Sequence, residues 1–290
     1  MADAPRAVAS APPLHVWLLT LGPILAAVGA LYGALSLWPS IYQDHSVFAA
    51  ISTIQDLPQP GSEQRRPLVV ILGTSLVRYA VPKEMTDPNI RGFHIVSIER
   101  GGPSPSWMAS IEPYLRERRP DLVLVDETLL LPNEPELSAL EKMEAMMTNF
   151  FSPMVRAVMG PLTDPPMPCG SPPTLEQLRT SAEGRQRRLQ PMQVSQIALG
   201  TLVALRQKGI PVVLLNVPRP LELNRLAKNL GAWSEAAHKA SKAQGIDIWQ
   251  PPGQWHKDVY CDPGHMNARG RAAYGHWLAT RIELQFKRVP

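Results

Sequence analysis

The chain has 290 residues, 44% of them hydrophobic and 19% charged, which suits one substantial core or a core with a short appendage and excludes a disordered chain. Its net charge is only +4, and no aromatic residues interleave with the arginine clusters (Arg116, Arg118, Arg119; Arg185, Arg187, Arg188), so these read as solvated faces and no nucleic-acid partner is expected. Two cysteines, Cys169 and Cys261, with no C-x-x-C and no Cys/His grouping at zinc spacing, leave no metal site and no cofactor to expect.

A short tail, residues 1–13, precedes the first element. From Leu14 to Trp38 the chain carries no Asp, Glu, Lys or Arg, long enough to cross a hydrocarbon core of roughly 30 Å. Trp17, Tyr32 and Trp38 include rings near its ends, where amphipathic aromatics favour the interface, and Gly22, Pro23, Gly29 and Gly33 are tolerated in lipid. A cleaved signal peptide is the rival, but Ser36-Leu37-Trp38-Pro39 puts bulky residues where cleavage needs small ones. The stretch is therefore expected to be an uncleaved transmembrane helix. Arg6 and the amino terminus precede it, whereas Asp44 and Asp56 follow, so the positive-inside rule places the tail in the cytoplasm and the rest outside. The expected location is a single-pass inner-membrane protein with a periplasmic domain.

Residues 39–66 read as a connector and 67–290 as an α/β domain. Leu68–Leu72 is a continuous apolar, β-branched run, as expected of a parallel strand buried on both faces. His94–Ile98, Leu122–Val125 and Val212–Val217 are similar, and Ile246–Trp249 is a weaker fifth. Helices are expected between and after them, over Ser106–Arg118, Pro135–Asn149, Pro191–Lys208, Leu221–Gln244 and Ala268–Gln285. The alternation predicts a three-layer α/β/α sandwich around a parallel sheet. Phe151 to Arg188 breaks the rhythm with seven prolines and reads as an insertion near the rim of a site.

In such a sheet, sites form outside the carboxyl ends of the strands. After the first run comes Gly73-Thr74-Ser75-Leu76, a sharp turn that exposes Ser75. After the second comes Glu99-Arg100-Gly101-Gly102, where glycine leaves backbone N–H groups accessible for an oxyanion hole. Near the carboxyl terminus stands Asp262-Pro263-Gly264-His265-Met266-Asn267. Asp followed by Pro is turn chemistry, and this turn brings the carboxylate beside the imidazole, the orienter and base that a serine nucleophile requires. Asn267 then caps the last helix, in which Ala273, Trp277 and Leu284 are expected to face the core. His15, His45, His94, His238 and His276 read as structural, while Trp255 and His256, close in sequence to this turn, are candidates to line a pocket.

The Gly-x-Ser-Leu turn, the Gly-Gly turn and Asp-x-x-His before the final helix together resemble the SGNH/GDSL hydrolase family over residues 67–286. The resemblance implies that Ser75 is the nucleophile, that its N–H and Gly101 or Gly102 hold the oxyanion, and that Asp262 and His265 complete the triad. Asn267-x-x-Gly270 resembles the usual continuation of the last block. Thr74 stands where the family's motif has Asp, and the Gly-x-Asn-Asp block expected after the third strand is replaced by Asp126-Glu127-Thr128, the nearest asparagine being Asn133. The stretch from Gly73 to Pro82 looks closer to the family's membrane-anchored envelope branch, in which Arg78 is placed to meet an anionic substrate or simply faces solvent. The implied function is a membrane-anchored serine esterase or O-acyltransferase on acyl esters, above all acetyl esters, of an envelope or exopolysaccharide. A lipid esterase or thioesterase of the same fold, and a non-catalytic subunit of a polysaccharide assembly or secretion complex, are the alternatives. Outside the cytoplasm Cys169 and Cys261 are expected to form a disulfide; inside, two free thiols are.

Overall fold

The computed structural model describes residues 22–23, 45–60, 66–86, 92–100, 105–132, 169, 171–188 and 193–287. Residues 1–45 and 46–290 cluster as separate units, and the first lies almost wholly outside the described residues. So do the expected membrane span, apart from Gly22 and Pro23, the expected helix Pro135–Asn149, and the glycines Gly101 and Gly102. Among the described residues no helix is long and apolar enough to cross a membrane.

All of α1 (His45–Gln55) but its first residue belongs to the second unit, inside the segment read as a connector. Val47, Ala50 and Ile54, at helical spacing, are buried in the core, so this part of the chain belongs to the domain. Next come β1 (Leu68–Gly73), α2 (Ser75–Ala80), β2 (His94–Glu99), α3 (Pro105–Arg118) and β3 (Leu122–Asp126). After them follow α4 (Leu175–Arg188), α5 (Gln196–Gln207), β4 (Val212–Leu215), α6 (Leu221–Leu226), α7 (Lys228–Ala243), β5 (Asp247–Trp249) and α8 (Ala268–Lys287). The five strands form one parallel sheet in the order β2-β1-β3-β4-β5.

Successive strand residues point to opposite faces, and both faces are covered. Leu68, Val70, Leu72, Val123, Val125 and Leu214 meet α1, α3, α5 and α7 on one side. Val69, Ile71, Leu122, Leu124, Val213 and Leu215 meet α2 and α8 on the other. The domain thus has the three layers expected.

Three elements depart from the sequence reading. The segment taken as a structureless insertion contains α4, opened by a reciprocal cap in which Gln177 N donates to Thr174 Oγ1 and Thr174 N donates to Gln177 Oε1. The proline count masked that signal. The single helix expected over Leu221–Gln244 is two, α6 and α7, broken at Ala227, whose ψ of 72° leaves the helical region. Neither Gly nor Pro stands at the break, and Ala227 is buried in the core, so packing sets it. In α8 the core face is Tyr274, Leu278 and Ile282, while Ala273 and Leu284 are exposed and Trp277 is only partly buried. The expected apolar stripe is displaced around the helix.

Candidate active site

Ser75 is the first residue of α2, directly beyond the carboxyl end of β1. Gly73 ends the strand because a Cβ there would stand 2.2 Å from Val77 Cγ2; only hydrogen lets the helix fold back so closely. Thr74 caps the helix, its Oγ1 accepting from Leu76 N at 3.3 Å. The Thr74 hydroxyl in turn donates to Asp126 Oδ2 at 2.9 Å, and its N–H approaches the same oxygen at 3.4 Å. Asp126, at the end of β3, also accepts from Thr128 N and Thr128 Oγ1, at 3.0 and 2.6 Å. Burial pushes the Asp126 carboxyl above its usual range, against the hydrogen bonds from Thr128 and Thr74 and the charge of Arg219. Asp126, on the neighbouring strand, thus fixes the turn that carries Ser75. Sequence reading registered only the missing asparagine block at this place.

The turn Asp262–His265 follows a short 3-10 segment, Lys257–Val259. Asp262 Oδ1 accepts from Gly264 N at 2.7 Å and His265 N at 2.8 Å, so the local sequence closes the turn on its own carboxylate. Asp262 Oδ2 lies 2.7 Å from His265 Nδ1, and His265 Nε2 lies 3.0 Å from Ser75 Oγ. With the ring proton on Nδ1 donated to Asp262, Nε2 accepts from the serine hydroxyl. Burial raises the Asp262 carboxyl, but donation from the His265 ring and from the Gly264 and His265 N–H groups outweighs it and holds the group below the usual carboxylate range. Tyr79 of α2 leans on the imidazole, ring centroids 4.6 Å apart. Cys261 N donates to His265 O, and Asn267 N donates to Val259 O, which pins the turn from both ends.

The last turn of the site is anchored in α8. Asn267 Oδ1 accepts from Gly270 N at 3.0 Å, as a cap should. Gly270 must be glycine for contact, since a Cβ there would lie 2.3 Å from Val259 O.

Cys169 and Cys261 are bridged, with Cα atoms 5.0 Å apart, which ties the segment before α4 to the residue preceding Asp262. At its other end α4 brings Arg185 Nη2 within 3.2 Å of the place a Gly264 Cβ would occupy. This stretch therefore flanks the Asp262–His265 turn at two points.

Arg78 is ion-paired with Glu99, Nε to Oε2 2.8 Å, and Ser97 Oγ donates to the same carboxylate at 2.8 Å. Its side chain stays 45% exposed beside that partner. His256 stands exposed opposite Glu222, Nδ1 to Oε1 3.4 Å. Trp255 lines a cavity of about 370 Å³ beyond β4 and β5; Ser75, Asp262 and His265 are not in its walls. The sequence reading also missed Glu127. Fully buried, it accepts from Arg219 Nη1 at 3.4 Å and Ser234 Oγ at 2.9 Å, and pairs with His238 Nε2 at 2.8 Å. Burial raises its carboxyl, yet His238, Arg219 and Asn216 more than offset this and keep it below the usual range. His238, read as structural, is the partner of this buried acid. Among the described residues no group of three or more His, Cys, Asp or Glu stands where it could hold a metal ion.

Fold and site together define a three-layer α/β domain carrying a Ser–His–Asp chain of hydrogen bonds at the carboxyl edge of its sheet. No family model matches the chain, and no curated protein matches it. Among solved structures, one similar to it is Est24, a carbohydrate acetylesterase from Sinorhizobium meliloti, at 12% identity and a TM-score of 0.38, over 75% of this chain and 99% of that one.

Proposed function

We propose that the protein is a serine esterase or O-acyltransferase that works through an acyl-serine intermediate. The observation that carries this reading is the geometry of Ser75, His265 and Asp262, with Nε2 3.0 Å from Oγ and Nδ1 2.7 Å from Oδ2. Ser75 Oγ attacks the acyl carbonyl as His265 Nε2 takes its proton, giving a tetrahedral oxyanion. The Ser75 N–H, first in α2 and without an intrahelical acceptor, is the oxyanion donor in this reading; Gly101 and Gly102, expected beside it, lie outside the described residues. Collapse breaks the C–O bond to the leaving alcohol, which receives the proton from His265. Water, or a hydroxyl of an acceptor, then attacks the acyl-serine by the same steps in reverse. Asp262 orients the ring and stabilises the imidazolium. A non-catalytic subunit has no need of this alignment, which weighs against that alternative.

The substrate in this reading is an acyl ester, chiefly acetyl, of an envelope or exopolysaccharide, met by a domain held outside the cytoplasm by Leu14–Trp38. The Cys169–Cys261 bridge supports an oxidising compartment. Ser75→Ala is expected to lower hydrolysis of 4-nitrophenyl acetate by on the order of 10⁶-fold, with an unchanged circular-dichroism spectrum. Equal turnover in both proteins would refute the mechanism. For the topology, an alkaline phosphatase fused to the carboxyl terminus is expected to be active in cells; a stable but inactive fusion overturns the periplasmic placement.

A further inference from the structure

The cavity beyond β4 and β5 contains none of the three catalytic side chains, yet it opens on the same edge of the sheet. The dipeptide Asp126-Glu127 connects the two places. Asp126 holds Thr74, the residue before Ser75, while Glu127 holds Arg219, Ser234 and His238, all three in the cavity wall. Ser75 follows β1, and the cavity residues Asn216 and Gln250 follow β4 and β5, two and three strands along the sheet. Neighbouring strands lie about 4.8 Å apart, so the cavity begins roughly 10–15 Å from the nucleophile. A single acetylated sugar at Ser75 does not reach it; an oligosaccharide does.

The lining indicates what it takes. Its volume of about 370 Å³ falls among ligand pockets, which span roughly 300–1,000 Å³. Four amides, Asn216, Asn224, Gln250 and Gln254, surround it, each able both to donate and to accept. Arg219 is 6% exposed, and among the described residues its Nε has no hydrogen-bond partner although Nη1 is paired with Glu127. A buried donor left unmet is costly, and a ligand oxygen would relieve it. Trp255 is partly buried against the core and meets Tyr274 nearly perpendicular, ring planes at 71°. Charge argues against an anion: Glu127 offsets Arg219, and Glu235 adds a further acid to the wall. Amides, one aromatic ring and offset charge match a neutral, hydroxyl-rich ring.

We propose that this cavity is a distal sugar subsite, holding a neutral pyranose of the glycan whose ester Ser75 attacks, with the sugar ring against Trp255 and its hydroxyls bonded by the amides and Arg219. The inference rests on the ester-cleaving reading for its substrate, but its test does not use turnover. Unesterified xylotetraose, mannotetraose and cellotetraose are titrated calorimetrically into the wild type, Ser75→Ala, Trp255→Ala and the double variant Asn224→Ala/Gln254→Ala. Asn224 and Gln254 are exposed, so that variant retains the fold. At least one tetrasaccharide is expected to bind the wild type and Ser75→Ala alike, and to bind Trp255→Ala and the double variant at least about tenfold more weakly. No binding by any of the three glycans, or wild-type affinity in both cavity variants, overturns the subsite. Failure of the esterase reading shows separately, as undiminished 4-nitrophenyl acetate turnover in Ser75→Ala.

Discussion

Glu127 is the residue on which charge and burial bear most heavily. Its carboxylate is fully buried, and Arg219 beside it has 5% of its side chain exposed. Removing one partner of a buried pair leaves the other charge without compensation, at a cost of about 3–5 kcal/mol. Glu127→Gln is therefore expected to lower the urea midpoint at pH 7 by an amount equivalent to about 3 kcal/mol. The pH dependence has a definite sign. Because the folded carboxyl lies below its ordinary value of 4.5, its contribution is fully present above that pH and is lost as pH falls through the depressed folded value. Asp262 acts in the same direction, whereas the raised Asp126 loses stability as pH rises through and above the ordinary carboxylate range. Urea unfolding at pH 7 and pH 4 is thus expected to show a smaller acid loss in Glu127→Gln than in the wild type. An equal loss in both proteins removes Glu127 from the acid response.

Two elements, α2 and α8, adjoin Ser75 and the Asp262–His265 turn. The turn between β1 and α2 is held by one buried carboxylate from β3, so Ser75 is placed by the sheet rather than by a loop. The turn before α8 is held by its own Asp262 and by Val259 packed against Gly270. Gly270→Ala sets two effects against each other. Alanine favours a helix by about 1 kcal/mol over glycine. Its Cβ, however, would stand 2.3 Å from Val259 O, a backbone atom that cannot move without displacing the Asp262–His265 turn. The clash wins. The variant is expected to melt several degrees lower and to lose esterase activity, read by calorimetry and 4-nitrophenyl acetate hydrolysis; a higher melting temperature would show that the helix term dominates.

For the whole molecule, the bridge between Cys169 and Cys261 closes a loop of 92 residues that contains α4, α5, β4, α6, α7 and β5. Chain entropy alone assigns such a loop about 4–5 kcal/mol. Cys169→Ser is expected to lower the melting temperature to that of reduced wild type, and added reductant should then change nothing further. A variant as stable as the oxidised protein would show that the unfolded chain gains nothing from opening this loop. The bridge also adjoins the Asp262–His265 turn, because Cys261 precedes Asp262 and donates its N–H to His265 O.

Much of this architecture was legible because its causes are local. Continuous β-branched runs at Leu68–Leu72 and Leu122–Val125 announce buried parallel strands, and Asp262-Pro263-Gly264-His265 closes its own turn within four residues. Ser75 was legible for the same reason, as a small-residue turn at a strand end. The cap Thr174–Gln177 was equally local and was hidden only by the prolines before it. What tertiary structure alone decided joins distant parts of the chain. Asp126 holds Thr74 from 52 residues away, and Glu127 gathers Arg219, Ser234 and His238 from about 90 to 110 residues away. Ala227 breaks a helical pattern with neither Gly nor Pro at the break, and α8 turns Tyr274, Leu278 and Ile282 inward instead of the stripe its sequence offers. A buried polar group takes whichever partner the packed layers bring within reach, and a helix buries whichever face the sheet leaves room for; neither is written in the neighbouring residues.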